Sequence, residues 1–285
     1  MPADKMTKKT VLITGCSDGG MGAALAIAFH QAGLHVYATA RNASKMTQVT
    51  ALGIETLTLD IQSSSSITAC VAKLPSLDIL VNNAGTSYSM PFSDLSIPEA
   101  KKLFDVNVWS YLAVTQAFLP LLLASKGMIV NQTSIVATVA VPFQSAYNAS
   151  KAASAIFSDS QRLELAPFGI TVIELKTGAV ATNLITNQIS HTPVSLPKES
   201  IYAPARGAVE AAMRNEKMKD VGMDKDVWAK LVVGDLMKRK PPAVIWRGAQ
   251  AMMGRIGTFF PHGMADGMMK KLTGLDVVEE IVGKK

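Results

Sequence analysis

Short apolar runs alternate with amphipathic stretches along most of the chain. Val11-Leu12-Ile13-Thr14 is an apolar run that ends in glycines. An Ala-rich helical pattern follows from Met21 to about Gln31 and stops at Gly33, which stands in a C′-like position. His35–Thr39, Thr56–Leu59, Ile79–Val81, Met128–Gln132 and Ile170–Leu175 are further strand candidates, with a helical stretch over Ser65–Lys73. Strands that alternate with helices in this way predict right-handed βαβ units and a parallel sheet. Strands so uniformly apolar are expected to be covered on both faces. After Thr182 the pattern changes. Residues 183–206 are rich in Ser, Thr and Pro and read as a long loop or short helical flap. Mixed charges at helical spacing over 207–240 predict a solvated helix pair. Pro241-Pro242 ends that unit, and Ala243–Trp246 is a last strand candidate.

Composition narrows the class. Of 285 residues, 48% are hydrophobic and 18% charged, which excludes a disordered chain. At ~150 residues per domain the length allows one or two domains. The net charge of +6 is too modest to indicate nucleic acid. Cys16 and Cys70 cannot build a disulfide framework and read as reduced thiols of a cytoplasmic protein. No secretory signal is expected in the basic start, and no metal-ligand cluster is expected. Residues 106–125 and 127–150 carry no charge. Asn107, Gln116, Asn131, Gln132, Gln144 and Asn148 within them would be stranded in hydrocarbon, so both stretches predict buried core instead of membrane spans.

Two segments carry chemistry. Thr14-Gly15-Cys16-Ser17-Asp18-Gly19-Gly20-Met21-Gly22 joins a strand to a helix. Glycines there let the backbone approach a pyrophosphate, and the helix N-terminus supplies free N–H groups. Gly15, Ser17, Asp18, Gly20 and Met21 are the expected contacts. The second strand ends in Ala40-Arg41-Asn42 with no carboxylate for ribose hydroxyls. Arg41 is either a receptor for a 2′-phosphate, which favours NADP(H), or an ordinary surface arginine. Tyr147 and Lys151 lie four apart, on one helical face. A phenol of pKa near ~10 exchanges protons more readily beside an ammonium, which lowers it. Ser134 at a strand end and Asn107 inside Val106-Asn107-Val108 make the pair informative.

These motifs, with Asn82-Asn83-Ala84-Gly85, resemble those of the classical short-chain dehydrogenase/reductase family in order and approximate spacing over residues 9–182. The resemblance implies one doubly wound α/β Rossmann-like domain over 1–285, with a seven-stranded parallel sheet and helices on both faces. Residues 183–285 would form the substrate flap and a C-terminal extension on the same sheet. It implies Tyr147 as general acid in reduction, Ser134 as the group that polarises the carbonyl, Lys151 as holder of the nicotinamide ribose, and Asn107 as holder of a relay water. Asp60-Ile61 resembles an adenine-contacting pair, although Asp60 also reads as a helix N-cap. Asn83, Ala84 and Gly85 would pass beside the adenosine ribose, and Val180 and Thr182 would hold the carboxamide. Two departures stand out. The glycine loop is one residue longer than the family's usual pattern, and Thr177 replaces the usual Pro before Gly178.

Lys176-Thr177-Gly178 and the tail after Trp246-Arg247-Gly248 are similar to fungal acyl-dihydroxyacetone-phosphate reductases. The expected activity is NADPH-dependent reduction of a ketone on a hydrophobic or lipid-like small molecule. The alternatives are a tailoring ketoreductase of fungal secondary metabolism and a non-catalytic NADP-binding protein. Five of the 15 methionines fall between 252 and 269, beside Phe259 and Phe260. Segment 244–271 therefore reads as a pocket wall, a packing surface or a peripheral contact with ER or lipid-droplet membrane. The helices near 107–123 and 147–165 correspond to those that form dimer interfaces in many relatives, so the resemblance implies a homo-oligomer, with packing under the C-terminal extension as the alternative.

Overall fold

The computed structural model describes residues 8–182, 195–218, 221–261 and 263–283. Strands β1 (Thr10–Thr14), β2 (His35–Ala40), β3 (Glu55–Thr58), β4 (Ile79–Asn82), β5 (Met128–Gln132) and β6 (Thr171–Thr177) alternate with helices. The helices are α1 (Met21–Gln31), α2 (Thr47–Ala51), α3 (Ser64–Val71), α4 (Ile97–Phe104), α5 (Ser110–Ser125) and α6 (Ser145–Leu165). A short ladder of β7 (Val180–Ala181) and β8 (Met223–Asp224) follows, with α7 (Arg206–Met213) before β8 and α8 (Lys225–Leu236) after it. Then come β9 (Val244–Arg247), α9 (Ala251–Gly257), α10 (Asp266–Thr273) and α11 (Leu275–Val282).

Seven strands form one parallel sheet in the order β3-β2-β1-β4-β5-β6-β9. The order reverses between β1 and β4, which opens a crevice at the carboxyl ends of those strands. Every residue of β1 and β4 is buried, as their unbroken apolar runs require. Helix α1 carries alanines on its buried face, so its axis lies close to the sheet, and Gly33 leaves it at φ +88°. The β9 strand adds to β6 with Glu174 opposite Val244 and Thr177 opposite Arg247, so the tail of the chain completes the sheet.

Two apolar layers result. On one face Val11, Ile13, Val81, Val130, Ile173 and Leu175 meet α1 and α8. On the other, Leu12, Leu80, Ile129 and Val172 meet α3, α5 and the end of α6. The expectation of a solvated pair over 207–240 is corrected here. Trp228, Ala229, Val232, Val233 and Leu236 of α8 are buried against α1. Asp226 and Lys230 sit on its outer side, and such charges mask an apolar stripe in a sequence reading. The helical run 97–125 is long and apolar enough by composition to cross a membrane. Val114, Phe118 and Leu122 instead pack it on the sheet.

Candidate active site

The glycine loop is built for close approach. A Cβ on Gly15 would lie 2.8 Å from the Ala84 Cα, and one on Gly22 would lie 2.4 Å from the Gly15 carbonyl oxygen. Gly15 also holds φ +76°. No side chain caps α1 at Gly20, so the N–H groups of Met21 and Gly22 in its first turn face the crevice without intrahelical partners. A pyrophosphate fits such an end. Asn83 stitches the neighbouring strand to this loop. Its N–H donates to Thr14 Oγ1 at 2.9 Å and its Nδ2 to the Thr14 carbonyl at 2.8 Å, while Ala84 N–H reaches the same hydroxyl at 3.0 Å. The Asn83 Oδ1 is buried and unpartnered, an acceptor suited to a bound group. Cys16 is sealed under the loop, and burial pushes its thiol up to about 12.

Asp18, expected to meet the cofactor, is turned elsewhere. Its carboxylate accepts from Thr47 N–H, Thr47 Oγ1 and Gln48 N–H at 2.9, 2.5 and 3.0 Å, and its own N–H donates to the Lys45 carbonyl. Asp18 thus caps α2 and leaves no donor for a phosphate. Desolvation opposes those bonds, but they hold its pKa below the ordinary carboxylate range. Gly20 N–H is likewise committed, to the Ser17 carbonyl. Asp18 therefore anchors the loop to α2. Between the two anchored segments lie Arg41 and Lys45, both exposed and without an ion pair among the described residues. Asp60 does not cap a helix. Its Oδ1 accepts from Gln62 N–H in a local turn, and Ser63 caps α3. Ile61 is buried against the second apolar layer beside Leu59.

The proton-handling residues converge where β5 ends. Ser134 follows that strand and caps a 3-10 turn at Ile135–Ala137. Its hydroxyl also bonds the Tyr147 phenol. Tyr147 lies one turn into α6 and Lys151 one turn further, so both project from one face toward Ser134. Lys151 is buried, with Nζ donating to the Gln132 carbonyl at 3.0 Å. Asn107 sits in a π-helical turn (Asp105–Trp109) between α4 and α5. Its Nδ2 donates to the Thr86 carbonyl (2.9 Å) and Ser150 Oγ (3.1 Å), and its Oδ1 accepts from Thr86 N–H. Ser154 Oγ satisfies the Asn107 carbonyl at 2.8 Å. A Cβ on Gly85 would come within 3.3 Å of Asn107 Oδ1 and 3.7 Å of Lys151 Nζ, so these groups meet at that glycine.

The acidity of Tyr147 differs from the sequence expectation. Burial pushes the phenol up to about 12, with the Ser134 bond working in the opposite direction. Burial also pulls the Lys151 ammonium down, to about 8. The phenol therefore holds its proton through the neutral range.

Val180 pairs with Met223 in the β7–β8 ladder, which leads to Thr182. Residues 183–194, the first half of the expected flap, lie outside the described residues. The loop under Val180 has a support that the sequence did not suggest. Gly178 N–H donates to the Arg247 carbonyl at 2.8 Å, and Ala179 and Ala249 exchange two backbone bonds of 2.9 Å. A Cβ on Gly178 would fall 2.0 Å from the Ala249 carbonyl oxygen. Arg247 is fixed in turn by Asp235 of α8 at 2.7 Å. A loop without the usual Pro is thus pinned by the C-terminal strand. Glu174, Lys176 and Thr133 were missed as well. Glu174 accepts from Thr133 Oγ1 at 2.8 Å and pairs with Lys176 at 3.2 Å, beside the Ser134 turn.

The tail divides its faces. Ala251 and Gly254 of α9 are buried, with Gly254 against Ile135 and Trp246. Val278 of α11 packs with Val209 and Met213 of α7. Met252, Met253, Ile256, Phe259, Phe260, Met264 and Met268 are exposed.

The profile of the short chain dehydrogenase family matches residues 9–193. A short-chain dehydrogenase/reductase of Pestalotiopsis microspora is 65% identical over 96% of this chain and 97% of its own length. An NADPH-dependent 1-acyldihydroxyacetone phosphate reductase of Schizosaccharomyces pombe is 39% identical over 89% of this chain and 90% of its own. Among solved structures, a short-chain dehydrogenase from Streptomyces avermitilis superposes with a TM-score of 0.75 at 27% identity, covering 97% of this chain and 98% of that one.

Proposed function

The chain belongs to the short-chain dehydrogenase/reductase family and is an oxidoreductase that uses NAD(P) and acts on CH–OH or C=O groups; from its site we propose an NADPH-dependent reductase of a hydrophobic ketone. The observation that carries this reading is the convergence of Ser134, Tyr147 and Lys151 at the end of β5. The nicotinamide supplies the hydride when bound. Ser134 Oγ donates to the substrate carbonyl and steadies its growing charge. Tyr147 Oη, protonated at neutral pH, delivers the proton to that oxygen. Lys151 holds the ribose with its remaining N–H groups, and Asn107 fixes the Thr86 backbone beside it. Replacing Tyr147 with Phe should cut turnover by ~10²–10⁴-fold while NADPH still binds. Full turnover by that variant, measured by NADPH absorbance, would overturn the reading.

Arg41 and Lys45 support NADPH over NADH, since both are exposed in the segment after β2 and neither has an ion pair among the described residues. Replacing Arg41 with Ala should raise the KM for NADPH about tenfold and leave that for NADH unchanged. Equal effects on both would remove the preference. The fungal relative that reduces 1-acyldihydroxyacetone phosphate favours a lipid-like substrate. The arginines of α7 favour a neutral ketone instead. Arg206 is bonded to Glu210 and to the Leu196 and Pro197 carbonyls, and Arg214 to Glu210 and Glu216. A tailoring ketoreductase of secondary metabolism is the second reading on that observation. NADPH consumption across acyl-dihydroxyacetone phosphate and aromatic polyketide ketones separates the two.

Two surfaces extend the proposal. Trp109, Ile156, Leu163 and Phe168 are exposed on and beside α5 and α6, which supports a homo-oligomer. A monomer by light scattering at micromolar concentration would remove it. The exposed Met and Phe side chains of 252–268 support contact with an ER or lipid-droplet surface. Equal vesicle partitioning of the full chain and a Phe259→Ser/Phe260→Ser variant would exclude that contact.

A further inference from the structure

Tyr111 belongs to no motif, yet it lies against the group on which proton transfer depends. It sits one turn after Asn107 in the first turn of α5 and is buried. Its hydroxyl donates to the Gln132 carbonyl at 3.3 Å, the same oxygen that accepts from Lys151 Nζ at 3.0 Å. Its ring centroid is 5.7 Å from that ammonium, and the Tyr147 ring centroid is 5.9 Å from it. The groups that face the ammonium are therefore these two phenols, the Gln132 carbonyl of β5, and Asn107 with the Gly85 backbone. Only the phenols titrate, and both are neutral at physiological pH.

We infer that Tyr111 is a positioning residue for Lys151: its ring, set beside the Gln132 carbonyl that both residues share, stabilises the buried ammonium. The inference rests on the proton-transfer reading of Tyr147 and Lys151. A buried cation with one hydrogen bond and no carboxylate loses its proton easily, and burial has already drawn Lys151 down to about 8. An aromatic face is one of few neutral groups that oppose this, and it does so most strongly where water is excluded. A leucine at position 111 would fill similar space with no such face.

The test is the pH profile of kcat, with the KM for NADPH followed in parallel. Tyr111→Phe keeps the ring and should leave the alkaline limb in place, with kcat within about twofold of the parent. Tyr111→Leu should move that limb about one pH unit toward acid, a tenfold change in proton affinity. At pH 8 its kcat should fall several-fold, and at pH 6 it should recover most of the parent value. If the Leu variant folds poorly, 3,4,5-trifluorophenylalanine at position 111 preserves the shape and weakens the ring's charge distribution. Its limb should fall between those of the Phe and Leu variants. A purely structural role would lower kcat equally at all pH values, and an unmoved limb in a folded ring-less or fluorinated variant overturns the inference. Tyr147→Phe serves as the control. If that variant retains turnover, the proton-transfer reading itself has failed, whereas an inactive Tyr147→Phe with unmoved Tyr111 limbs rejects the role of Tyr111 alone.

Discussion

The two faces of the sheet are made of the same seven strands and differ in what they bury. The face under α1 and α8 is almost wholly aliphatic, with Val11, Ile13, Val81, Val130, Ile173 and Leu175 meeting alanines and Trp228. The face under α5 and α6 carries a polar ladder across three adjacent strands. Asn82 Nδ2 donates to Asn131 Oδ1 at 2.9 Å, and Asn131 Nδ2 donates to Ser158 Oγ and Gln161 Oε1 at 3.0 Å each. Glu174, Lys176 and Thr133 continue it toward Ser134. The alternation of side chains along a strand makes this segregation possible, because one residue faces the dry layer and the next the polar one. Both faces bury apolar side chains, but only the one under α5 and α6 adds a hydrogen-bonded polar ladder. The polar side holds its groups in place through hydrogen bonds that an aliphatic layer cannot offer.

This contrast breaks at definable points. Trp228→Ala on the dry face should destabilise the fold most, by about 3–5 kcal/mol, through loss of a fully buried ring. Denaturant unfolding checks the cost, and kcat at low temperature should be unchanged. Lys151→Met on the polar face should do the reverse. The folded ammonium has its pKa depressed from 10.5 to about 8, so the parent carries a penalty that is complete below pH 8. That penalty fades as pH rises toward 10.5. A depression of this size is worth ~3 kcal/mol, less ~1 for the lost Gln132 bond. The variant should therefore gain roughly 2 kcal/mol at pH 7, with the gain shrinking above pH 8, while turnover collapses. A loss of stability at pH 7 would show that the buried ammonium is better compensated than its surroundings suggest. Ser158→Ala is the mildest change, at about 1 kcal/mol, since Asn131 Nδ2 keeps Gln161 as acceptor.

The parallel sheet was readable because its central strands are short apolar runs and its first helix begins at glycines. Met128–Gln132 and Met21–Gln31 agree with the expected bounds, while Thr10, Ala40 and Thr177 extend their strands by a residue or two. The Tyr147/Lys151 pair was readable because helical spacing alone brings the two together. Other features were hidden for physical reasons. The burial of α8 escaped because Lys225, Asp226, Lys230 and Asp235 interrupt its apolar stripe. Asp18 was misread because its partners, Thr47 and Gln48, come from a distant part of the chain. The π-helical turn at Asn107 and the ring of Tyr111 beneath Lys151 depend on packing between α5 and α6, which no local periodicity encodes.

The backbone exchange between Ala179 and Ala249 also bears on synthesis. A ribosome releases the chain from its N-terminus, and the glycine loop, Ser134 and Tyr147 emerge long before residue 249. Until β9 docks on β6, the loop at Gly178–Val180 lacks the partner strand that pins it. A parallel pairing across this distance forms late, because the intervening chain must be ordered first. The nascent enzyme is therefore expected to assemble its nucleotide cradle early and become competent only when the last part of the polypeptide arrives. Premature stop codons after Lys151 but before residue 249 should yield chains that carry every proposed catalytic side chain and catalyse nothing.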